Sequence, residues 1–383
     1  VYLAYAVLGV TLTSFSVTHS LDAYYYTLFA RLFGVYHLNP YVIPAPIQLA
    51  DPVVNLNLVP LHNPPFPDPY GPGFTLFAGL VGDLEHNAAL GFALWTWRLI
   101  GVAATLVSAM GVVYALRRRS QLSNVNATSR SAATFLFHPL TLYESAVGAH
   151  NDLLMIAPAI WAWSLADSWP LVAGLLLGVA IAVKYFACLL LPFIVIRVWR
   201  RDKVSALLFI VLALGVPLLC FRPFAFGSAG AGTLQTVAYN ISMSVEWLLS
   251  LPLWAAHAPV MYLKLLQLVI VGAFAVVTLI AIVRYAVSFS KSALYRSITA
   301  LLLAMPALHP WYALWIVPIG AQSGRWATYA WWFAALSLLL YAHEAVLPTP
   351  ANHTIFILLA LVVFITPVVI ARRVSAAEKV ASA

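Results

Sequence analysis

Apolar runs follow one another along almost the whole chain, parted by short polar or basic clusters, and most are near the roughly 17 to 25 residues that cross a ~30 Å hydrocarbon core as a helix. Spans are predicted at about 1–18, 89–116, 131–148, 153–168, 170–184, 185–199, 204–222, 260–283, 297–308, 312–322, 327–345 and 354–371. Strands of a membrane barrel would instead show short alternating segments. The pattern therefore predicts an all-α polytopic membrane protein of about 12 transmembrane helices, several of them short. Two stretches interrupt the rhythm, 19–88 and 223–259, both rich in Pro, Gly, Asn and aromatic residues. That is the composition of structured loops and short interfacial helices. In the first, "DAYYYTLFARLFG" puts Tyr25, Tyr26, Phe29, Leu32 and Phe33 at helical spacing from Asp22, which predicts a helix lying along the membrane surface. "GLLLG" at 174–178 is a small-residue pattern suited to helix packing. No internal boundary stands out, so 1–383 is read as a single transmembrane domain.

Composition sharpens this picture. The chain is 63% hydrophobic and only 8% charged, with a mean hydropathy of +0.92, far outside the range of soluble domains. No segment resembles a nucleotide-binding domain, and no Gly-rich phosphate loop, CxxC pair or nucleophile elbow occurs. The two cysteines, Cys188 and Cys220, both fall in apolar segments, which argues against a disulfide framework. Val1 opens the chain without a methionine, so a preceding N-terminal segment is expected.

The charges sort by side. Fifteen of the 20 Lys and Arg fall in the clusters Arg117–Arg119 with Arg130, Arg197–Lys203, Arg284–Arg296, Arg325 and Arg372–Lys379, all on one face. By the positive-inside rule that face is cytosolic, which also places both termini in the cytosol. Nine of the 12 acids fall on the other side. The net charge of +8 is thus topogenic and implies no nucleic-acid partner.

Four features at the predicted outer face carry candidate chemistry: Asp22 after the first span, "HND" at 150–152 opening the fourth, Lys184 ending the fifth, and "HPWY" at 309–312 between the ninth and tenth. Each has a structural alternative. Asp22 suits the start of a helix, and Asn151 or Asp152 suits an N-cap, though a cap does not account for three polar residues in a row. Lys184 could snorkel to the interface, and "HPWY" could belong to an aromatic belt. Arg98 and Arg222 are read as snorkelling, Glu144 as a partner of Lys184 or a histidine, and Asp51, Asp68 and Glu246 as loop acids. "NPPFPDPYGPG" at 63–73 is rigid loop sequence.

Taken in order, "DAYYYTLFARLFGVYHLNPYV", "DPYGPG", "GAHNDLLM", "GLLLGVAIAVKYFACLLLPF" and "HPWYALWIVP" resemble the GT-C superfamily of membrane glycosyltransferases, and within it the bacterial polyprenyl-phosphate-mannose-dependent mannosyltransferases. The likeness runs from Asp22 to about Pro318. It implies a GT-C-like fold in the bacterial plasma membrane and transfer of a hexose from a lipid-phosphate donor at the outer face, with inversion. It also assigns the base to the acid of the first outer loop, which by position is Asp22. Other branches carry a paired acid there; here Ala23 and Tyr24 follow, so no metal or other cofactor is expected.

The residues support the same chemistry. Nucleotide sugars are cytosolic, so a transferase facing outward needs a donor that crosses as a lipid, and a cation must meet its phosphate. Lys184, His309 and His150 are the candidates. Asn151, Asp152, Tyr26, Trp311 and Tyr312 are candidates for sugar or acceptor contact. The expected partners are a polyprenyl-phosphate sugar, a glycolipid or glycan acceptor, and membrane lipid. A secondary transporter or lipid flippase also suits many spans with intramembrane charge, but no repeated halves are evident. A non-catalytic scaffolding subunit is the third reading.

Overall fold

The computed structural model describes residues 1–14, 20–42, 51–55, 67–120, 125–224, 244–289, 291–321, 325–342 and 353–381. The described chain is built of helices, with no strand element. Four helices are long and apolar enough to cross a membrane: Leu90–Arg118, Lys203–Phe224, Val260–Ser288 and Thr354–Ala377. They coincide with four of the expected spans, and the chain is a membrane protein. The other expected spans are shorter or broken apolar helices among the described residues. The span expected at 131–148, for example, divides into three pieces, Val125–Leu136, Pro139–Tyr143 and a π-helical turn at Glu144–Gly148. Pro139 explains the first break, since it lacks an N–H and disfavours a helical residue before it.

Within the single domain read from the sequence, contacts divide the chain into two compact units, Val1–Thr128 with Leu142–Thr236, and Ser129–Thr141 with Val237–Ala383. The first unit holds α1 (Tyr2–Leu12), α2 (Asp22–Ala30, continued by a π-helical turn at Arg31–Val35), α3 (Pro72–Leu84) and α4 (Leu90–Ser120). After the π-helical turn at 144–148 come α5 (Asp152–Leu165), α6 (Pro170–Val183), a 3-10 turn at Tyr185–Leu190, α7 (Leu191–Trp199) and α8 (Lys203–Cys220). The helix α6 packs between α5 and α8, and α5 packs on α4. The "GLLLG" glycines serve this packing: a Cβ at Gly174 would lie 2.9 Å from the Phe209 carbonyl oxygen, and one at Gly178 2.9 Å from that of Leu212. Asp202 caps α8 by accepting from the Val204 and Ser205 N–H groups.

The helix expected from Asp22 forms, and other helices of the first unit pack over it. In α2 and the turn after it, Tyr26, Phe29 and Leu32 are fully buried, because α3 and α4 cover them. The Tyr26 ring meets Tyr70, Phe74 and Trp97 edge-on at 5.1, 4.9 and 5.5 Å, the favoured geometry for aromatic pairs. The stretch 19–88, expected to hold structured loops and short interfacial helices, thus also supplies α3, which packs over α2. Arg31 ties α2 to the rest of the loop through Asp51 at 2.6 Å and the His86 carbonyl at 3.2 Å.

The second unit contains α9 (Val245–Ala255), α10 (Val260–Ser288), α11 (Lys291–Ala304), a 3-10 turn at Pro310–Ile316, and the later helices Arg325–Ser337 and His353–Ala381. The α9 helix lies in the second expected outer loop; residues 225–243 of that loop fall outside the described residues, as do 43–50 and 56–66 of the first.

Candidate functional site

The site begins with a break between two helices. The turn Glu144–Gly148 is π-helical and ends on Ala149, a non-glycine residue in the left-handed region at φ 58°, ψ 31°. Both features cost energy and recur at functional sites. Here they fold His150 back over the turn that precedes it: the His150 N–H donates to the Glu144 carbonyl, and the ring Nδ1 lies 2.5 Å from the Glu144 carboxylate. Both side chains are fully buried. Gly148 makes the room, since a Cβ there would lie 2.5 Å from Glu144 Oε2 and 2.9 Å from His150 Nδ1. Burial alone would hold the imidazole neutral, but the carboxylates of Glu144, Asp22 and Asp152 outweigh it and raise its pKa above the usual histidine value.

On the other side of His150 stands Asp22, the first residue of α2. Its Oδ2 lies 3.6 Å from His150 Nε2 and accepts from the Tyr26 hydroxyl at 3.3 Å. Ser20 joins the two: its hydroxyl oxygen accepts the Asp22 N–H at 3.1 Å and lies 3.0 Å from His150 Nε2. Tyr26 in turn accepts the Asn151 N–H at 3.1 Å. The Asp22 side chain is 22% exposed, whereas those of Glu144 and Asp152 are sealed at 0%. Asn151 is itself 2% exposed, and among the described residues neither its amide oxygen nor its amide nitrogen has a hydrogen-bond partner. A buried polar group in that state costs about 1–3 kcal/mol.

Lys184 closes the cluster. The α6 helix stops at Val183 and Lys184 is extended, at φ −150° and ψ 121°. Its ammonium lies 2.6 Å from Asp152 Oδ2. The sequence treats Lys184 as a cation in search of an anion and Asp152 as a sugar contact; in the folded chain each answers the other. A further element holds the helix end. The Gly71 N–H donates to the Val183 carbonyl at 3.1 Å, and a Cβ at Gly71 would sit 2.2 Å from the Ala182 carbonyl oxygen, so only glycine admits this approach. Asp68 braces the same segment, accepting from the Tyr70 N–H at 2.8 Å and the Thr75 hydroxyl at 2.7 Å. Burial of this carboxyl, only partly offset by those hydrogen bonds, pushes its pKa up to about 7.

The structure thus joins Asp22, Tyr26, His150, Asn151, Asp152 and Lys184 in the first unit. His150 turns both ring nitrogens to protein groups, so its expected contact with a donor phosphate finds no support in this geometry. Glu144 is resolved as the partner of the histidine. Ser20, Gly148 and Ala149 are additions; a serine two residues before a helix start was the one sequence signal among them. His309, Trp311 and Tyr312 belong to the second unit. There His309 stacks on Trp311 at 4.4 Å with 6° between the planes, and Tyr312 meets it edge-on at 5.6 Å. This makes an aromatic shelf headed by an imidazole.

Residues 15–200 match a family described as alpha-(1->6)-mannopyranosyltransferase, N-terminal domain. The match covers Asp22, Glu144, the 150–152 run and Lys184 and ends before His309. The similarity is to mannosyltransferases. Alpha-(1->6)-mannopyranosyltransferase A of Mycobacterium tuberculosis (strain ATCC 25618 / H37Rv) is 30% identical over 282 residues, 66% of this chain and 52% of the relative. The chain therefore spans about half the length of that mannosyltransferase. The resemblance to mannosyltransferases drawn from the order of the short motifs is borne out.

Proposed function

We propose that this protein is a glycosyltransferase that moves a hexose, mannose in the first instance, from a polyprenyl-phosphate donor to a glycolipid or glycan acceptor at the outer membrane face, with inversion at the anomeric carbon. The observation that carries this reading is the unequal exposure of three neighbouring carboxylates. Glu144 and Asp152 are sealed and engaged with His150 and Lys184, and Asp22 alone is open. An acceptor hydroxyl needs one accessible base, and Asp22 is the carboxylate it can reach. The likeness to mannosyltransferases supports the choice of sugar, and the sorting of basic residues supports the outward face.

In this reading Asp22 takes the acceptor proton as the acceptor oxygen attacks the anomeric carbon, and the lipid phosphate departs with the bonding electrons. Lys184 shares its ammonium between Asp152 and a phosphate oxygen. His309, Trp311 and Tyr312, in the second unit, carry over as further candidates for donor or acceptor contact. The orphaned Asn151 amide meets sugar or acceptor hydroxyls. No metal is required, because the leaving group is a monophosphate that one or two cations neutralise.

The test is transfer by purified protein from polyprenyl-phosphate mannose to a panel of glycolipid and glycan acceptors. Asp22→Asn should bind donor as the parent does and lose transfer by about 10²-fold or more. Transfer at the parent rate in that variant removes Asp22 from the chemistry.

A further inference from the structure

Glu144, His150 and Ser20 lie behind Asp22, and none of them is open to a substrate: Glu144 is 0%, His150 1% and Ser20 6% exposed. Their hydrogen bonds nevertheless assign distinct roles to the two ring nitrogens. The Glu144 carboxylate, a pure acceptor, takes the Nδ1–H across 2.5 Å. On a neutral ring Nε2 then carries the lone pair, and the Ser20 hydroxyl at 3.0 Å donates to it. That lone pair is 3.6 Å from Asp22 Oδ2, and catalytic hydrogen bonds are commonly this loose before substrate binds.

Resting on the transferase reading above, we propose that Glu144 and His150 form a proton relay for Asp22, with Ser20 holding the ring nitrogen ready. The acceptor O–H bond breaks as its oxygen bonds to the anomeric carbon; the bond from that carbon to the phosphate oxygen breaks, its electron pair leaving on the phosphate. The acceptor proton goes to Asp22 and then to His150 Nε2. Asp22 is again a carboxylate, and the new imidazolium is compensated by Glu144. After the products depart, the proton returns by way of Asp22, the exposed member, to water. The arrangement is that of a base oriented by a second base and a third group. His150 and Glu144 touch no substrate and are positioning residues.

The charges around the ring are consistent with this order of events. Glu144 faces it from the π-helical turn, Asp22 from α2 and Asp152 from the start of α5, the last already paired with Lys184 at the end of α6. On α4, which packs against the π-helical turn, Arg98 donates to the Thr13 carbonyl. From α1, Tyr5 reaches Ser145 of the turn through its hydroxyl at 2.7 Å.

The experiment is the pH profile of kcat at saturating polyprenyl-phosphate mannose and acceptor, for the parent, Glu144→Gln and Ser20→Ala. The relay needs a neutral His150, so the acid limb of the parent reports the histidine. Glu144→Gln removes the charge that raises its pKa; its plateau kcat should fall about tenfold, while its acid limb moves about one unit to lower pH. Both KM values should stay within about twofold, because neither substrate touches Glu144. Ser20→Ala keeps every charge but removes the donor to neutral Nε2, so it should lower kcat about threefold or more and shift the limb slightly to higher pH, opposite to Glu144→Gln. It also decides the matter if Glu144→Gln fails to fold. A uniform loss in Glu144→Gln with an unmoved limb, a rise in donor KM at constant kcat, or parent behaviour in both variants overturns the relay. A parent protein that transfers nothing removes the transferase reading and the relay together; an active parent with unaltered variants removes the relay alone.

Discussion

Two residues of the cluster are defined by what their neighbours do not supply. Asp22 keeps a side chain 22% exposed while Tyr26 donates to its carboxylate from within, whereas Asn151 keeps a buried amide without a partner among the described residues. Native chains retain such a group where a ligand needs it, since an apolar residue of similar shape would remove the penalty. Asn151→Leu is therefore expected to raise the midpoint of thermal unfolding, by the equivalent of about 1 kcal/mol or more, while weakening sugar transfer. Differential scanning fluorimetry in detergent, alongside a transfer assay, checks both arms. A destabilised variant with undiminished transfer would mean that the amide serves the fold.

At the scale of elements, the site is made of helix ends: the start of α2, the start of α5 and the end of α6. Much of this was legible. Hydropathy located the long helices, and polar residues in apolar context marked Asp22, the 150–152 run and Lys184. The pairing was not legible, because Lys184 meets Asp152 across 32 positions of chain and only where α6 unwinds. Ala149 gave no signal, since alanine has no preference for the left-handed region. The α3 helix was hidden by the prolines around it, one of which, Pro72, in fact opens the helix.

The Lys184–Asp152 pair permits a test that separates fold from function. Lys184→Met leaves Asp152 buried without its cation, a loss of about 3–5 kcal/mol, so weaker donor binding in that variant alone is uninformative. Lys184→Met with Asp152→Leu removes both charges and should recover most of the stability but not the donor affinity. Recovery of both, read by titration with the lipid donor, would show that Lys184 serves only Asp152. The nearby Asp68 makes a pH prediction. Its folded pKa of about 7, against 3.8 for the ordinary carboxyl, means that the folded chain holds a proton the unfolded chain releases. Stability is then full below about pH 3.8 and declines as pH rises to about 7, by roughly 4 kcal/mol over the window. Asp68→Asn should flatten that decline, so that its unfolding midpoint exceeds the parent's at pH 8 by more than at pH 5. Parallel pH curves for the two proteins would rule it out.

For the whole molecule, orientation and chemistry are bound together. In the proposed reading, the positive-inside rule assigns the basic clusters at Arg117–Arg119, Arg197–Lys203 and Arg372–Arg373 to the cytosol and the Asp22 cluster to the outer face. An outward cluster cannot draw on nucleotide sugars and needs a sugar carried across on a lipid; an inward one could use the cytosolic pool directly. Two exposed positions separate the cases. Leu38, 44% exposed, lies in the first expected outer loop, 19–88, and Ala377, also exposed, follows the Arg372–Arg373 pair. With Cys188 and Cys220 replaced, Leu38→Cys should react with an impermeant maleimide on intact cells, and Ala377→Cys only after permeabilisation. The reverse pattern would turn the Asp22 cluster to the cytosol and remove the reason for a polyprenyl-phosphate donor, while leaving the Glu144–His150–Asp22 geometry to be explained by a donor from the cytosolic side.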